Sequence, residues 1–284
     1  MINILNKSNF VFKDQLNKYE GKVRDVYTLN NNILVMIASD RISAFDVVMP
    51  KGITYKGQIL NQIAVEMLNK TSDIVPNWLI SNPDPNVSIG KKCNPIKVEM
   101  VVRGYLSGHA FREYNSGKRE ICGNKIQNGL KENDKFKFPI ITPTTKADQG
   151  LHDQDINPTD IIKQKLLSKE DYDKIYEISL SLYKRGSEIA NKQGLILVDT
   201  KYEFGYDQNG TITLIDEIHT PDSSRYFYFD SYEELQEKGL KQKQLSKEFF
   251  REWLMLNNFR GLQNQLIPEI NEDGISMVSK RYIE

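Results

Sequence analysis

Apolar and polar residues alternate through LILVDTKYEF, residues 195 to 204, which predicts a strand with Asp199, Lys201 and Glu203 on one face. The turn-rich GYDQNG follows, and TITLIDEI then reads as an antiparallel return strand that brings Asp216 back towards that charged face. Upstream, KYEGKVRDVYTL and NILVMIAS are predicted as two early strands joined by a short Asn-rich turn. Ile59, Leu60, Ile63, Ala64, Met67 and Leu68 fall at helical spacing, so an amphipathic helix is expected over about Gly57 to Lys70. PIKVEMVVRG is a further strand, and AFREY opens a short helix. Residues 117 to 158 show little periodicity and read as long ordered loops with short strands. Ser168 caps a long helix to about Asn191, with Gly194 as its stop. A last helix from Ser246 sets Phe249, Phe250, Trp253 and Leu254 on one stripe, which is read as core or domain packing.

Composition narrows the function classes. A chain of 284 residues can bury a substantial core in one large or two moderate domains. Lys+Arg and Asp+Glu both number 38, so no polyanion-binding composition argues for a nucleic-acid partner. Cys93 and Cys122 form no paired motif, which implies no disulfide framework and fits a reducing, cytoplasmic compartment. The longest purely apolar run, Ile33 to Ala38, is far too short to span a bilayer, and no signal peptide is expected. His109, His152 and His219 lack the spacing of a structural zinc site.

Two carboxylates and an ammonium converging on a hairpin suit Mg²⁺ and nucleotide phosphates, because Mg²⁺ is held by one or two carboxylates plus phosphate oxygens and water. A solvated hairpin with cross-strand ion pairs is the bland alternative. Four other segments carry comparable chemistry. In GKVRDVY, Gly21 precedes Lys22 and Arg24, which are placed on one strand face where they would cover phosphates; an ordinary charged strand is the alternative. In SDRISAFD, Asp40, Arg41, Ser43 and Asp46 crowd the end of a buried strand, and a capped turn explains them equally. In VVRGYLSGHAFREY, Arg103 ends an apolar strand, and Ser107, Gly108 and His109 form a turn into a helix, an arrangement that suits an anion; an arginine snorkelling from a sheet edge is the alternative. TPTTKADQGLHD holds Lys146, Asp148, His152 and Asp153 in what is otherwise a solvated loop. TPDSSR places Ser223, Ser224 and Arg225 just beyond Asp216.

Taken in order, GKVRDVY, SDRISAFD, VRGYLSGHAFREY, TPTTKADQGLHD, DTKYEFG and DEIHTPDSSR resemble the SAICAR synthase family over about Gly21 to Arg260. The resemblance implies an α+β fold of two lobes, akin to kinases and ATP-grasp proteins, with antiparallel sheets and ATP in the cleft between them. The division is expected near Val102: residues 1–102 form a β-rich lobe over the ATP phosphates, and residues 103–284 a larger lobe with the metal and substrate site. The implied activity is ATP-dependent carbon–nitrogen ligation of L-aspartate to the carboxylate of carboxyaminoimidazole ribonucleotide (CAIR), with ADP and phosphate released, in purine biosynthesis.

Carried over by resemblance, Gly21, Lys22 and Arg24 belong to the loop over ATP. Lys201, Glu203 and Asp216 complete the catalytic nucleotide site, with Glu203 and Asp216 as the Mg²⁺ ligands. Arg103, Ser107, His109 and Arg225 fall near the ribonucleotide phosphate, Asp40, Arg41 and Ser43 near the imidazole or aspartate, and Lys146, His152 and Asp153 along the same cleft. Two departures stand out. GHAF replaces the commoner GSAW, so His109 stands where many members have serine, and Asp148 replaces a usual glutamate. No general base and no oligomeric state are assigned. A kinase-like small-molecule phosphotransferase and a non-catalytic nucleotide sensor are the rival readings. The absence of HRD and DFG elements weighs against the protein-kinase branch, and intact Lys22, Lys201, Glu203 and Asp216 against loss of turnover.

Overall fold

The computed structural model describes residues 4–146 and 153–284. Its first layer is built from β1 (Gln15–Glu20), β2 (Arg24–Leu29), β3 (Ile33–Ala38), the two-residue ribbon β4 (Ser43–Ala44) and β5 (Val47–Val48), α1 (Lys56–Lys70), β6 (Leu79–Asp84) and β7 (Val87–Lys91). The second begins with β8 (Asn94–Tyr105), α2 (Gly108–Asn115), the ribbon β9 (Glu120–Ile121) and β10 (Asn124–Lys125), β11 (Lys135–Thr145), α3 (Pro158–Lys163) and α4 (Lys169–Lys192). It continues with β12 (Leu195–Tyr206), β13 (Ile212–Ile215), β14 (Ser224–Tyr228), α5 (Phe229–Glu237), β15 (Gln244–Leu245), α6 (Glu248–Leu256) and α7 (Glu272–Ile283).

Two antiparallel sheets result. The five-stranded sheet runs β1-β2-β3-β7-β6, and the six-stranded sheet runs β11-β8-β12-β14-β15 with β13 added to β12. Helices and antiparallel sheets together make the α+β architecture expected from the chain. Val98, Met100, Val102, Tyr202 and Phe204 of the second sheet join Tyr172, Ile175, Leu182 and Tyr183 of α4 in the largest core, which also takes in Leu68, Val75 and Trp78 from the first layer. Burying that much aliphatic and aromatic surface is the main force holding the layers together. Trp78 ties them directly: its indole N–H donates to the Asp216 carbonyl at 2.9 Å, and its backbone N–H to Leu214 at 3.0 Å.

The helix at α1, the strand–helix pair β8–α2 and the β12–β13 hairpin stand as the periodicity predicts. At α4 the Ser168 hydroxyl accepts from the Asp171 N–H at 3.0 Å, and Gly194 follows with φ 71. Three expectations change. KYEGKVRDVYTL is a hairpin, not one strand: Gly21 N–H donates to the Arg24 carbonyl at 2.7 Å and closes a tight turn, so Lys22 sits at a loop tip and shares no strand face with Arg24. The middle region contains an eleven-residue strand, β11, hidden from pattern reading by Pro139 and Pro143. Those prolines are tolerated because β11 is the outer strand of its sheet, where half the ladder positions need no donor. A second C-terminal helix, α7, opens on Asn271, whose side chain accepts from the Gly274 N–H at 2.8 Å. Val102, the expected lobe boundary, lies inside β8.

Candidate active site

A cleft of about 380 Å³ lies between the two sheets, floored by Leu34, Met36 and Trp78 and edged by Gly21, Lys22, Arg24, Lys146, Glu203 and Asp216. An apolar floor with a few converging charges is what a nucleotide pocket requires.

On β12, alternation points Asp199, Lys201 and Glu203 the same way. Register sets Glu203 opposite both Ile215 of β13 and Glu99 of β8. Lys201 Nζ donates to Glu203 Oε1 at 2.5 Å and to Glu99 Oε1 at 2.9 Å, and Lys146 Nζ pairs with the other oxygen of Glu203. Burial works against the Glu203 carboxylate, but Lys201 and Lys146 outweigh it and hold it well below the usual range. Burial also acts against the Lys201 ammonium, and Glu203 and Glu99 raise it nonetheless. Glu99, buried beside a second acid, is pushed up to about 7. Asp216 follows β13 with φ 63, a conformation that Asp tolerates better than most residues. Its carboxylate, raised by burial, pairs with Arg24, which also reaches Glu217 at 2.6 Å.

Four residues along, the same sheet holds a second charged row. Arg103, Asp199 and Arg225 are direct neighbours across β8, β12 and β14. Arg103 donates to Asp199 Oδ2 at 3.1 Å and to Thr142 Oγ1 at 2.9 Å. Arg225 Nε lies 4.0 Å from Asp199 and is a buried nitrogen without a hydrogen-bond partner among the described residues. The forked end of its guanidinium faces Gly108, where φ is 57 and any Cβ would come within 2.6 Å of both terminal nitrogens. The left-handed backbone favours glycine there, and a side chain would push the arginine fork aside. His109 Nε2 is 2.8 Å from Asp155 Oδ2, and the pairing lowers the Asp155 carboxyl. Ser107 is buried, with its hydroxyl on Asn133. A larger cavity, about 1110 Å³, opens beside Gly108 and Arg225 and extends to α5 and α6.

The SDRISAFD residues are placed differently. Both oxygens of Asp40 accept backbone N–H groups, from Leu5 at 2.7 Å and Gly57 at 3.0 Å, so the carboxylate anchors the start of α1. Arg41 donates to the Gly21 carbonyl at 2.9 Å, to Lys22 at 3.2 Å and to Asp25 at 2.8 Å, bracing the glycine loop from behind. Ser43 is buried in β4, and Lys22 pairs with Asp46. Asp153 is exposed but raises Glu99 electrostatically; Asp148 and His152 lie outside the described residues. Sequence reading missed Glu99 and Asp155.

His219, three residues beyond Asp216, is buried with Nε2 2.6 Å from the Tyr202 hydroxyl, in a space that Gly186 of α4 leaves open. Burial pushes its imidazole down to about 3. The unfolded chain therefore binds the extra proton below about pH 6.5, and this group's contribution to stability falls as pH drops from there towards 3, while Glu99, raised in the fold, contributes in the opposite sense between about pH 7 and its ordinary range. Between pH 6.5 and 5 the loss from this group is about 2 kcal/mol. Urea melts at the two pH values check it: the stability of wild type relative to His219→Gln drops by that amount between pH 6.5 and 5, and an unchanged difference contradicts the assignment.

The sequence profile of the SAICAR synthetase family matches residues 17–266. Over 283 residues the chain is 59% identical to the phosphoribosylaminoimidazole-succinocarboxamide synthase of Flavobacterium psychrophilum, covering 100% of this chain and 90% of that one. Among solved structures it is similar to the SAICAR synthase of Saccharomyces cerevisiae in complex with SAICAR, with a TM-score of 0.80, 31% identity and coverage of 94% and 92%. It is also similar to a type-2 SAICAR synthetase in complex with ADP, with a TM-score of 0.69, 26% identity and coverage of 89% and 100%. Among the described residues no helix is long and apolar enough to cross a membrane. With its cleft, its charged β12 face and a match that runs nearly end to end, the chain belongs to the SAICAR synthetase family.

Proposed function

We propose that this chain uses ATP to join L-aspartate to the C4 carboxylate of CAIR, giving SAICAR, ADP and phosphate. The observation that carries the reading is the layout of β12: the acid–lysine cluster at Glu203 and the arginine row at Asp199 lie on one strand face, about 13 Å apart at strand rise. A nucleoside monophosphate laid along that strand puts its phosphate at Arg103 and Arg225 and its ring carboxylate beside Lys201. The ATP phosphates enter from the cleft side, under Gly21, Lys22 and Arg24. On this reading the lobes divide at Lys92–Cys93, between the end of β7 and the start of β8, with ATP between the two sheets.

The CAIR carboxylate attacks the γ-phosphorus, ADP leaves, and an acyl phosphate forms. The aspartate amine then attacks the acyl carbon, phosphate departs, and the nitrogen loses a proton as the amide forms. Transfer of this kind depends on positioning and charge neutralisation more than on covalent help from the protein. Lys201 and Lys146 supply positive charge where the transferred group develops negative charge. Glu203 and Asp216 fit Mg²⁺: both are hard oxygen donors whose side-chain partners here are cations, and two carboxylates with phosphate oxygens and water make a usual Mg²⁺ set. When bound, Mg²⁺ neutralises the phosphates and fixes their orientation.

Oxygen tracing tests the route. With ¹⁸O in the CAIR carboxylate, one labelled oxygen must appear in the released phosphate; unlabelled phosphate overturns the acyl phosphate. At the other end, His109→Ala raises the Michaelis constant for CAIR about tenfold and leaves that for MgATP unchanged, because a donor to the phosphate is lost. An unchanged CAIR value removes His109 from the site.

A further inference from the structure

Packing accounts for the apolar sides of α6 and α7, where Phe250, Leu254, Val278 and Tyr282 share a core with Ile42, Ile53 and Leu60. It leaves their polar sides unexplained. Lys247 and Glu248, consecutive residues at the start of α6, reach two residues of the substrate side: Lys247 Nζ is 3.4 Å from Asp222 Oδ2, and Glu248 Oε2 is 3.8 Å from a terminal nitrogen of Arg225. From α7 the Tyr282 hydroxyl donates to Asp222 Oδ1 at 2.6 Å. From α1 the fully buried Lys56 ammonium donates to Asp222 Oδ2 at 2.9 Å and lies 5.4 Å from the centre of the Tyr282 ring. One buried carboxylate is thus gripped from three elements.

Such a cluster is a poor source of net stability, since taking these charges out of water costs about as much as their attraction returns. Its fully satisfied geometry does fix position. Asp222 immediately precedes Ser223, Ser224 and Arg225. On the opposite side the segment is pinned to β12, where the Lys201 N–H donates to the Ser223 carbonyl at 3.1 Å and Ser224 Oγ lies 2.8 Å from Thr200 Oγ1. These contacts fix the backbone that leads into Arg225, whose guanidinium is flanked by Asp199 at 4.0 Å and Glu248 at 3.8 Å.

We propose that Asp222, held by Lys56, Lys247 and Tyr282, and Glu248, which flanks Arg225 itself, are positioning residues that aim Arg225 at the ribonucleotide phosphate, making the C-terminal helices part of substrate recognition. The inference rests on Arg225 binding that phosphate. Steady-state kinetics on full-length Tyr282→Phe and Glu248→Gln test it. Tyr282→Phe removes one hydrogen bond to a charged group and keeps the ring over Lys56; Glu248→Gln lies at a helix start and keeps the protein measurable should the first variant fold poorly. Each raises the Michaelis constant for CAIR about tenfold, with kcat and the MgATP constant within about twofold. A lower melting temperature with both constants unchanged overturns the proposal, because the cluster is then structural only. A parallel rise in both constants also overturns it, as a general loosening of the site. The Arg225→Ala enzyme separates the two layers: if its CAIR constant is normal, the phosphate assignment fails; if only that variant responds, the positioning role fails.

Discussion

Asp216→Asn lowers turnover about 10³-fold at saturating MgATP while leaving the protein folded. Asparagine is among the few residues that accept the left-handed backbone at this position, where φ is 63, so the end of β13 keeps its shape. The carbonyl that accepts from Trp78 is also untouched. What is lost is one of the two anionic oxygen donors facing the cleft, and with it the placing of Mg²⁺ against the phosphates. Because Arg24 retains Glu217 at 2.6 Å, the loop over the nucleotide stays anchored, and the MgATP constant moves far less than kcat. A magnesium titration of kcat checks this, with circular dichroism as the control for folding. Near-normal turnover at low Mg²⁺ contradicts the role given to Asp216.

Arg225→Ala raises the Michaelis constant for CAIR about 10²-fold and that for MgATP by less than about twofold. A guanidinium offers two parallel donors to a phosphate, each charge-assisted, and loss of such a pair is worth roughly two orders of magnitude. Its neighbour Arg103 shares that phosphate but already uses two of its nitrogens on Asp199 and Thr142, so it makes up little of the loss. Arg225→Lys recovers only part of the affinity, since an ammonium is a point charge that cannot span two oxygens. Equal losses for both substrates, or none, would show that the arginine row serves the fold instead.

The hairpin that carries Lys201, Glu203 and Asp216 was legible because period-two alternation and a turn-rich GYDQNG specify local geometry without reference to the rest of the chain. The arginine row was legible only as separate motifs. Arg103 and Arg225 are neighbours because β8 and β14 flank β12 in a register that no local pattern states. Glu99 is the same lesson in reverse. A lone acid inside VEMVV reads as an exposed strand residue until pairing sets it opposite Glu203. SDRISAFD is dense in polar groups, and the protein partners of Asp40 and Arg41, the backbone at the α1 start and the glycine loop, are set by the fold and not by local sequence. The Asp222 cluster draws on residues 56, 247 and 282, separated by most of the chain, and had no signal to find.

The most direct test of the central claim is ADP release by the purified protein with MgATP, CAIR and L-aspartate, each omitted in turn, with products identified by mass. The ligase account predicts ADP and the succinocarboxamide together, in equal amounts, only in the complete mixture. A phosphorylated product that accumulates without aspartate, or ATP binding with no turnover in the complete mixture, would contradict it.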